Sequence, residues 1–141
     1  MDRTGALGFA VALLLPLLAW ADPPRRSSGL WEISVTASGQ PTPSVHQFCI
    51  DEATDDLALT VGGGVAQKDC REARTLPAED GFVIESVCKL GPTTVTTRGA
   101  LKGDLKSAYT GELEAKYSPP LYGRREVKSK IEARLIGPCK S

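Results

Sequence analysis

The residues best equipped for chemistry in this sequence are four cysteines, Cys49, Cys70, Cys88 and Cys139. Thiolates that hold zinc come in close pairs such as C-x-x-C, and no two of these lie nearer than 18 positions, so the spacing argues against a metal. An even number of widely spaced cysteines is the pattern of disulfides in an oxidising compartment. Four cysteines allow three connectivities. Cys70 and Cys88 flank a turn near Glu79 symmetrically and can face each other across one hairpin. Strand parity then brings Cys139 near Cys49, provided a helical segment carries the chain across the sheet. Cys49–Cys70 with Cys88–Cys139 stays open as the alternative.

The other reactive side chains do not assemble into a recognisable site. His46 is the only imidazole, and a nucleophile with an orienting group must accompany it before it acts as a base. No G-x-S-x-G elbow is present. Asp51, Glu52, Asp55 and Asp56 lack the alternating ligands, central Gly and distal Glu of a calcium loop, and are expected as solvated acids at a helix start. Gly62-Gly63-Gly64 is followed by Val65-Ala66 rather than Lys-Ser/Thr, which excludes a phosphate loop. Arg124, Arg125, Lys128, Lys130 and Arg134 form one basic stretch, expected as a solvated strand face that also discourages edge pairing. No catalytic residue, metal ligand or cofactor is assigned, and a non-enzymatic protein is expected.

The elements that would position such residues begin after a targeting segment. Arg3, the uncharged run Gly5 to Leu18 and Ala19-Trp20-Ala21 supply the three parts of a secretory signal, with cleavage expected after Ala21. The apolar run is shorter than the roughly 20 residues of a membrane-spanning helix. The expected divisions are therefore 1–21, signal peptide, and 22–141, a single disulfide-bonded β domain, with no transmembrane segment after cleavage. In the mature chain the charges balance at 16 of each sign, and nothing favours nucleic acid as a partner.

Period-2 alternation dominates from Ser28 onward. Trp31, Ile33, Val35 and Ala37 alternate with Glu32, Ser34 and Thr36, and comparable runs recur around Phe82–Lys89, Val95–Leu101, Tyr109–Tyr117 and Val127–Leu135. Further strands are expected near Ser44–Ile50 and Asp69–Leu76. Turn chemistry separates the runs at Gly39 to Pro43, Pro77 to Gly81, Gly91-Pro92, Gly103-Asp104 and Pro119-Pro120 with Gly123. Asp51 is expected to cap one short helix with acidic residues in its first turn, ended by Gly62-Gly63-Gly64. The expected fold is mostly β: a single antiparallel meander of about seven strands, as a strongly curved sheet or small barrel, with one short helix. Trp31, Ile33, Phe82, Ile84, Val95, Leu113, Ile131 and Leu135 are the expected core.

Five short motifs occur in order: Gly29-Leu30-Trp31-Glu32, Cys49-Ile50-Asp51, Asp69-Cys70, Ser86-Val87-Cys88-Lys89 and Ile136-Gly137-Pro138-Cys139. Together they resemble an uncharacterised family of exported proteobacterial proteins, domain of unknown function three-six-one-seven. The resemblance implies an exported, cysteine-framed protein of the bacterial envelope, periplasmic or secreted, and carries no activity.

Function is expected in the hollow side of the sheet. Ser86, Thr97, Gly99, Gly111, Ala115, Ser129 and Ala133 are small residues on the dry faces, which let layers approach closely or leave a hollow for a small hydrophobic ligand. Trp31, Tyr109, Gly111 and Tyr117 are the candidate ligand-binding residues, the tyrosines as rings with a polar tip at the mouth. The alternative is a structural or assembly accessory with a protein partner in the envelope.

Overall fold

The structure is a computed structural model and describes residues 22–61 and 67–140. The expected signal segment and the Gly62-Gly63-Gly64 run lie outside the described residues. Seven strands follow in chain order: β1 (Gly29–Ala37), β2 (Ser44–Ile50), β3 (Cys70–Ala78), β4 (Gly81–Leu90), β5 (Thr93–Gly103), β6 (Ala108–Leu121) and β7 (Arg124–Gly137). Among the described residues one short α-helix, α1 (Leu57–Val61), and a single 3-10 turn, Gln67–Asp69, precede β3. All strands join one antiparallel sheet in the order β2-β1-β7-β6-β5-β4-β3. β3 to β7 run as an uninterrupted meander, and the β1–β2 hairpin is added to it through β7. The sheet is curved but not closed, because β2 and β3 remain its two edges.

Alternation decides which face is buried. Trp31, Ile84, Val95, Leu101, Tyr109, Ile131 and Ala133 all point to the concave side and are buried, while their neighbours Lys102, Thr110, Glu132 and Arg134 are exposed on the convex side. Ile33, Phe82, Leu113 and Leu135, expected in the core, pack against it but stay half-buried. Two contributions come from outside the strands. Leu57 and Ala58 of α1 enter the concave side, and so does Leu105 of the β5–β6 loop. Leu105 adopts a left-handed φ of 59°, unfavourable for a bulky side chain, yet it is 2 % exposed. Asp104 holds that loop by accepting the backbone N–H of Lys106 at 2.8 Å and of Ser107 at 3.1 Å.

Both disulfides staple an edge strand to the sheet. Cys70 and Cys88 are direct register partners across β3 and β4. Cys49 near the end of β2 is bonded to Cys139 beyond β7, across the start of β1. This is the preferred pairing from the sequence, and the alternative is excluded.

Three local expectations need correction. The helix starts at Leu57 rather than near Asp51, because Asp56 is the residue that caps it: Leu59 N–H donates to Asp56 Oδ1 at 3.1 Å. Asp51 instead closes a separate turn, accepting from Ala53 N–H at 3.0 Å, and no acidic residue lies in the first helical turn. Pro119-Pro120 do not end β6. They lie inside it at a register irregularity, and the turn is Tyr122-Gly123, with φ of 48° and 75°; positive φ at both positions is what a two-residue hairpin turn requires. Finally, β7 lies between β1 and β6, so Lys128, Lys130 and Arg134 guard no edge. They decorate the convex face, where Arg134 pairs with Glu32 at 2.6 Å and Lys128 with Glu114 at 3.8 Å.

Candidate functional site

The concave side divides into a filled half and an open half. Register explains the division. Gly99 lies opposite Leu113, and Leu101 opposite Gly111, on β5 and β6. A side chain at Gly99 would collide with Leu113, and one at Gly111 with Leu101. At these two positions the absent side chains let a cross-strand leucine lie flat on the sheet. That space is filled, together with Trp31, Tyr109, Leu57, Ala58 and Leu105. Ala133 is also absorbed into this core. Ser86 is buried with its hydroxyl unpaired among the described residues.

The other small residues leave space. Thr97, Ala115 and Ser129, with Val35, Val95, Leu113, Tyr117 and Val127, line an apolar cup of about 240 Å³ on the concave side. Val61 at the end of α1 and Leu90 at the end of β4 stand at its border, and Ile131 is shared with the filled half. The cup exists because β5, β6 and β7 present short side chains in consecutive rows: Thr97 opposite Ala115, and Ala115 opposite Val127. Leu90 is 44 % exposed, so the cup is open to solvent at this end.

A buried ion pair closes the filled half. Arg26 and Asp55 have side chains 1 % exposed and meet at 2.6 Å. Arg26 donates its backbone N–H and Nε to Asp55 Oδ2 at 2.8 and 3.0 Å, and Nη2 to Thr60 Oγ1 at 2.6 Å. Its Nη1 donates to the Tyr109 hydroxyl at 3.3 Å. Burial pulls the Arg26 pKa down, but the bonds and charge of Asp55 and Tyr109 outweigh it and leave the value raised. Burial raises the Tyr109 pKa, against the opposing pull of Arg26. The adjacent Ser27 ties the same segment to the core, donating N–H to Leu105 O and accepting Trp31 Nε1–H at 2.8 Å. Thus α1 and the segment before β1 form one plug. Asp55, expected as a solvated acid, is buried because it neutralises this arginine.

The four candidate ligand residues therefore separate. Trp31 and Tyr109 pack as tilted rings, 5.7 Å between centroids, inside the filled half, with their polar atoms already bonded to Ser27 and Arg26. Gly111 lies under Leu101. Tyr117 alone of the four lines the cup. His46 is on exposed β2, 6.1 Å from Phe48 between ring centroids. Among the described residues no group of three or more His, Cys, Asp or Glu side chains is placed to hold a metal ion, and no helix is long and apolar enough to cross a membrane.

The model of the family described as "Protein of unknown function (DUF3617)" matches residues 26–139. The chain belongs to the DUF3617 family. The matched stretch opens on Arg26 of the buried ion pair and closes on Cys139 of the second disulfide. No curated protein and no solved structure matches the chain. In this DUF3617 chain the alternation marked Val35 and Val127 only as dry-face strand residues and did not reach Leu90; the run of small residues beside them was what signalled a hollow.

Proposed function

We propose that this chain is a non-enzymatic protein of the bacterial envelope, exported to the periplasm, that holds a small hydrophobic ligand in the apolar cup. The observation that carries the proposal is the cup itself: a solvent-open hollow walled by Val35, Val95, Leu113, Ala115, Tyr117 and Val127. Its volume of about 240 Å³ exceeds the about 150 Å³ of an apolar cavity that takes benzene. It falls short of the about 300–1,000 Å³ of sites for drug-sized ligands. The fitting ligand is a single ring or a short acyl chain, with its polar end outward beside the Tyr117 hydroxyl. Two disulfides and the signal-like residues before Asp22 support the compartment.

The test is equilibrium titration of the mature chain with a fluorescent short-chain fatty acid, repeated with Ala115→Phe. Ala115 faces the hollow, so the added ring occupies it without displacing core. Saturable micromolar-to-millimolar binding, on the order of −4 to −8 kcal/mol, that Ala115→Phe abolishes while leaving the fold intact supports the proposal. Unchanged binding in Ala115→Phe would place the ligand elsewhere, and no binding by the natural chain would reject the proposal.

A further inference from the structure

The two edges of the open sheet are built differently. β3 carries Arg71, Glu72, Arg74 and Pro77, has a register irregularity between Cys70 and Glu72, and is packed against by α1. Charges, proline, bulges and a covering helix are the devices that block edge-to-edge pairing. β2 has none of them. Its residues, Ser44-Val45-His46-Gln47-Phe48-Cys49-Ile50, include no Lys, Arg, Asp, Glu or Pro. It pairs with β1 in unbroken register from Gly29↔Ile50 to Val35↔Ser44. Among the described residues no strand pairs with its outer edge. Phe48 on the concave face is 49 % exposed and Val45 on the convex face 55 %. The Cys49–Cys139 bond holds this strand against the sheet.

We propose that β2 is the pairing edge of a symmetric dimer, in which it joins β2 of a second copy of this chain antiparallel. The strand is self-complementary about Gln47. A two-fold axis there sets Ser44 against Ile50, Val45 against Cys49, His46 against Phe48 and Gln47 against itself. No like charges meet, because the strand carries no Lys, Arg, Asp or Glu. Each His46 ring meets Phe48 of the other copy on the concave face, extending the contact the two rings already make within one strand. Each Val45 lies beside Cys49 of the other copy on the convex face. An isologous contact of this kind closes after two chains and satisfies both exposed edges, instead of propagating as a fibre. One strand pair buries less than the about 1,200–2,000 Å² of a standard stable interface, so the dimer is weak and reversible. It uses none of the side chains that line the ligand cup, which come from β1, α1 and β4 to β7.

Sedimentation velocity of the disulfide-bonded mature chain between about 1 µM and 1 mM reads the equilibrium. The expected result is a monomer–dimer transition whose dissociation constant rises at least about tenfold with Val45→Lys and with Phe48→Lys, since like charges then face an apolar edge. Leu76→Lys, on the guarded β3 edge, leaves it unchanged. All three positions are at least 40 % exposed, and circular dichroism verifies that each variant folds. Register is read separately: Gln47→Cys cross-links to a dimer under mild oxidation, because self-paired residues lie within the about 4.4–6.8 Å Cα separation a disulfide spans, and Ser44→Cys, set against Ile50 of the other copy, does not. A chain that stays monomeric at about 1 mM, including one that pairs there with a different protein, overturns the proposal. So does a dimer indifferent to both β2 lysines, or one lost with Leu76→Lys.

Discussion

Replacing Asp55 by Ala removes the only anion, among the described residues, bonded to a guanidinium that is 1 % exposed. Arg26 loses partners for its backbone N–H, its Nε and one Nη2 contact, and among the described residues keeps only the Thr60 and Tyr109 hydroxyls. A buried charge stripped of its partner costs about 3–5 kcal/mol, a large part of the about 5–15 kcal/mol that stabilises a typical domain. Detachment of the segment before β1 would let Arg26 reach water, but it also breaks the Ser27 bonds to Leu105 and Trp31. The cost is therefore expected to stay within that range. The double variant Arg26→Met with Asp55→Leu replaces both charges by apolar groups of similar size and should return to within about 1 kcal/mol of the natural chain. Urea unfolding under non-reducing conditions, followed by Trp31 fluorescence, measures all of these. An Asp55→Ala penalty below about 1 kcal/mol, or a double variant no more stable than the single one, would refute the claim that the pair is buried and coupled.

The remaining predictions concern other parts of the same frame. Replacing Cys49 and Cys139 together by Ala should cost about 4.5 kcal/mol, against about 3 for Cys70 and Cys88, because the first bond closes a loop of 90 residues and the second one of 18; equal losses in denaturant titrations would contradict the loop-length account. Gly111→Leu should destabilise by about 3 kcal/mol or abolish folding, since Leu101 occupies that space, and a stable variant would mean the filled half is hollow. Ser86→Ala should raise stability by about 1 kcal/mol in the same titration, because it removes a buried hydroxyl with no partner among the described residues. Glu32, Asp104 and Glu114 all have pKa values lowered by hydrogen bonds, led by those from Arg134, Lys106 and Lys116 respectively. Their contribution is present above the ordinary carboxylate values of 4.5 and 3.8 and is lost as pH falls through the lowered ones. The urea midpoint should fall below about pH 4.5 and do so less in Asp104→Asn; an acid limb that Asp104→Asn leaves unchanged would contradict the role of that carboxylate.

Much of the fold is legible because an antiparallel sheet with one wet and one dry face writes its geometry as alternation. Trp31, Ile84, Val95 and Ile131 follow from that period directly, and they are buried. Leu105 does not follow, because a loop residue has no period and its left-handed backbone is set by Asp104 and by the hollow it fills. Arg26 and Asp55 were equally hidden. Charged residues are ordinarily exposed, and no local pattern announces a partner 29 positions away. Asp51 and Asp56 are both plausible caps by type, and only the packing of Leu57 and Ala58 into the core selects the second. The small residues of the dry faces signalled close approach or a hollow, and the structure contains both: approach at Gly99 and Gly111, a hollow at Thr97, Ala115 and Ser129. Which was which depends on the leucine directly opposite, a register fact that no single strand carries. The pairing of β1 with β7, which makes β2 rather than β1 an edge, is likewise a property of the assembled sheet.

The most direct test of the cup is methyl-resolved NMR of the mature chain during titration with octanoate. Methyls of Val35, Val95, Leu113, Ala115 and Val127 should shift together and saturably, while those of Leu57, Leu101 and Leu105 in the filled half stay in place. Shifts confined to the filled half, or no saturable shift at any cup methyl, would contradict a ligand site in this hollow.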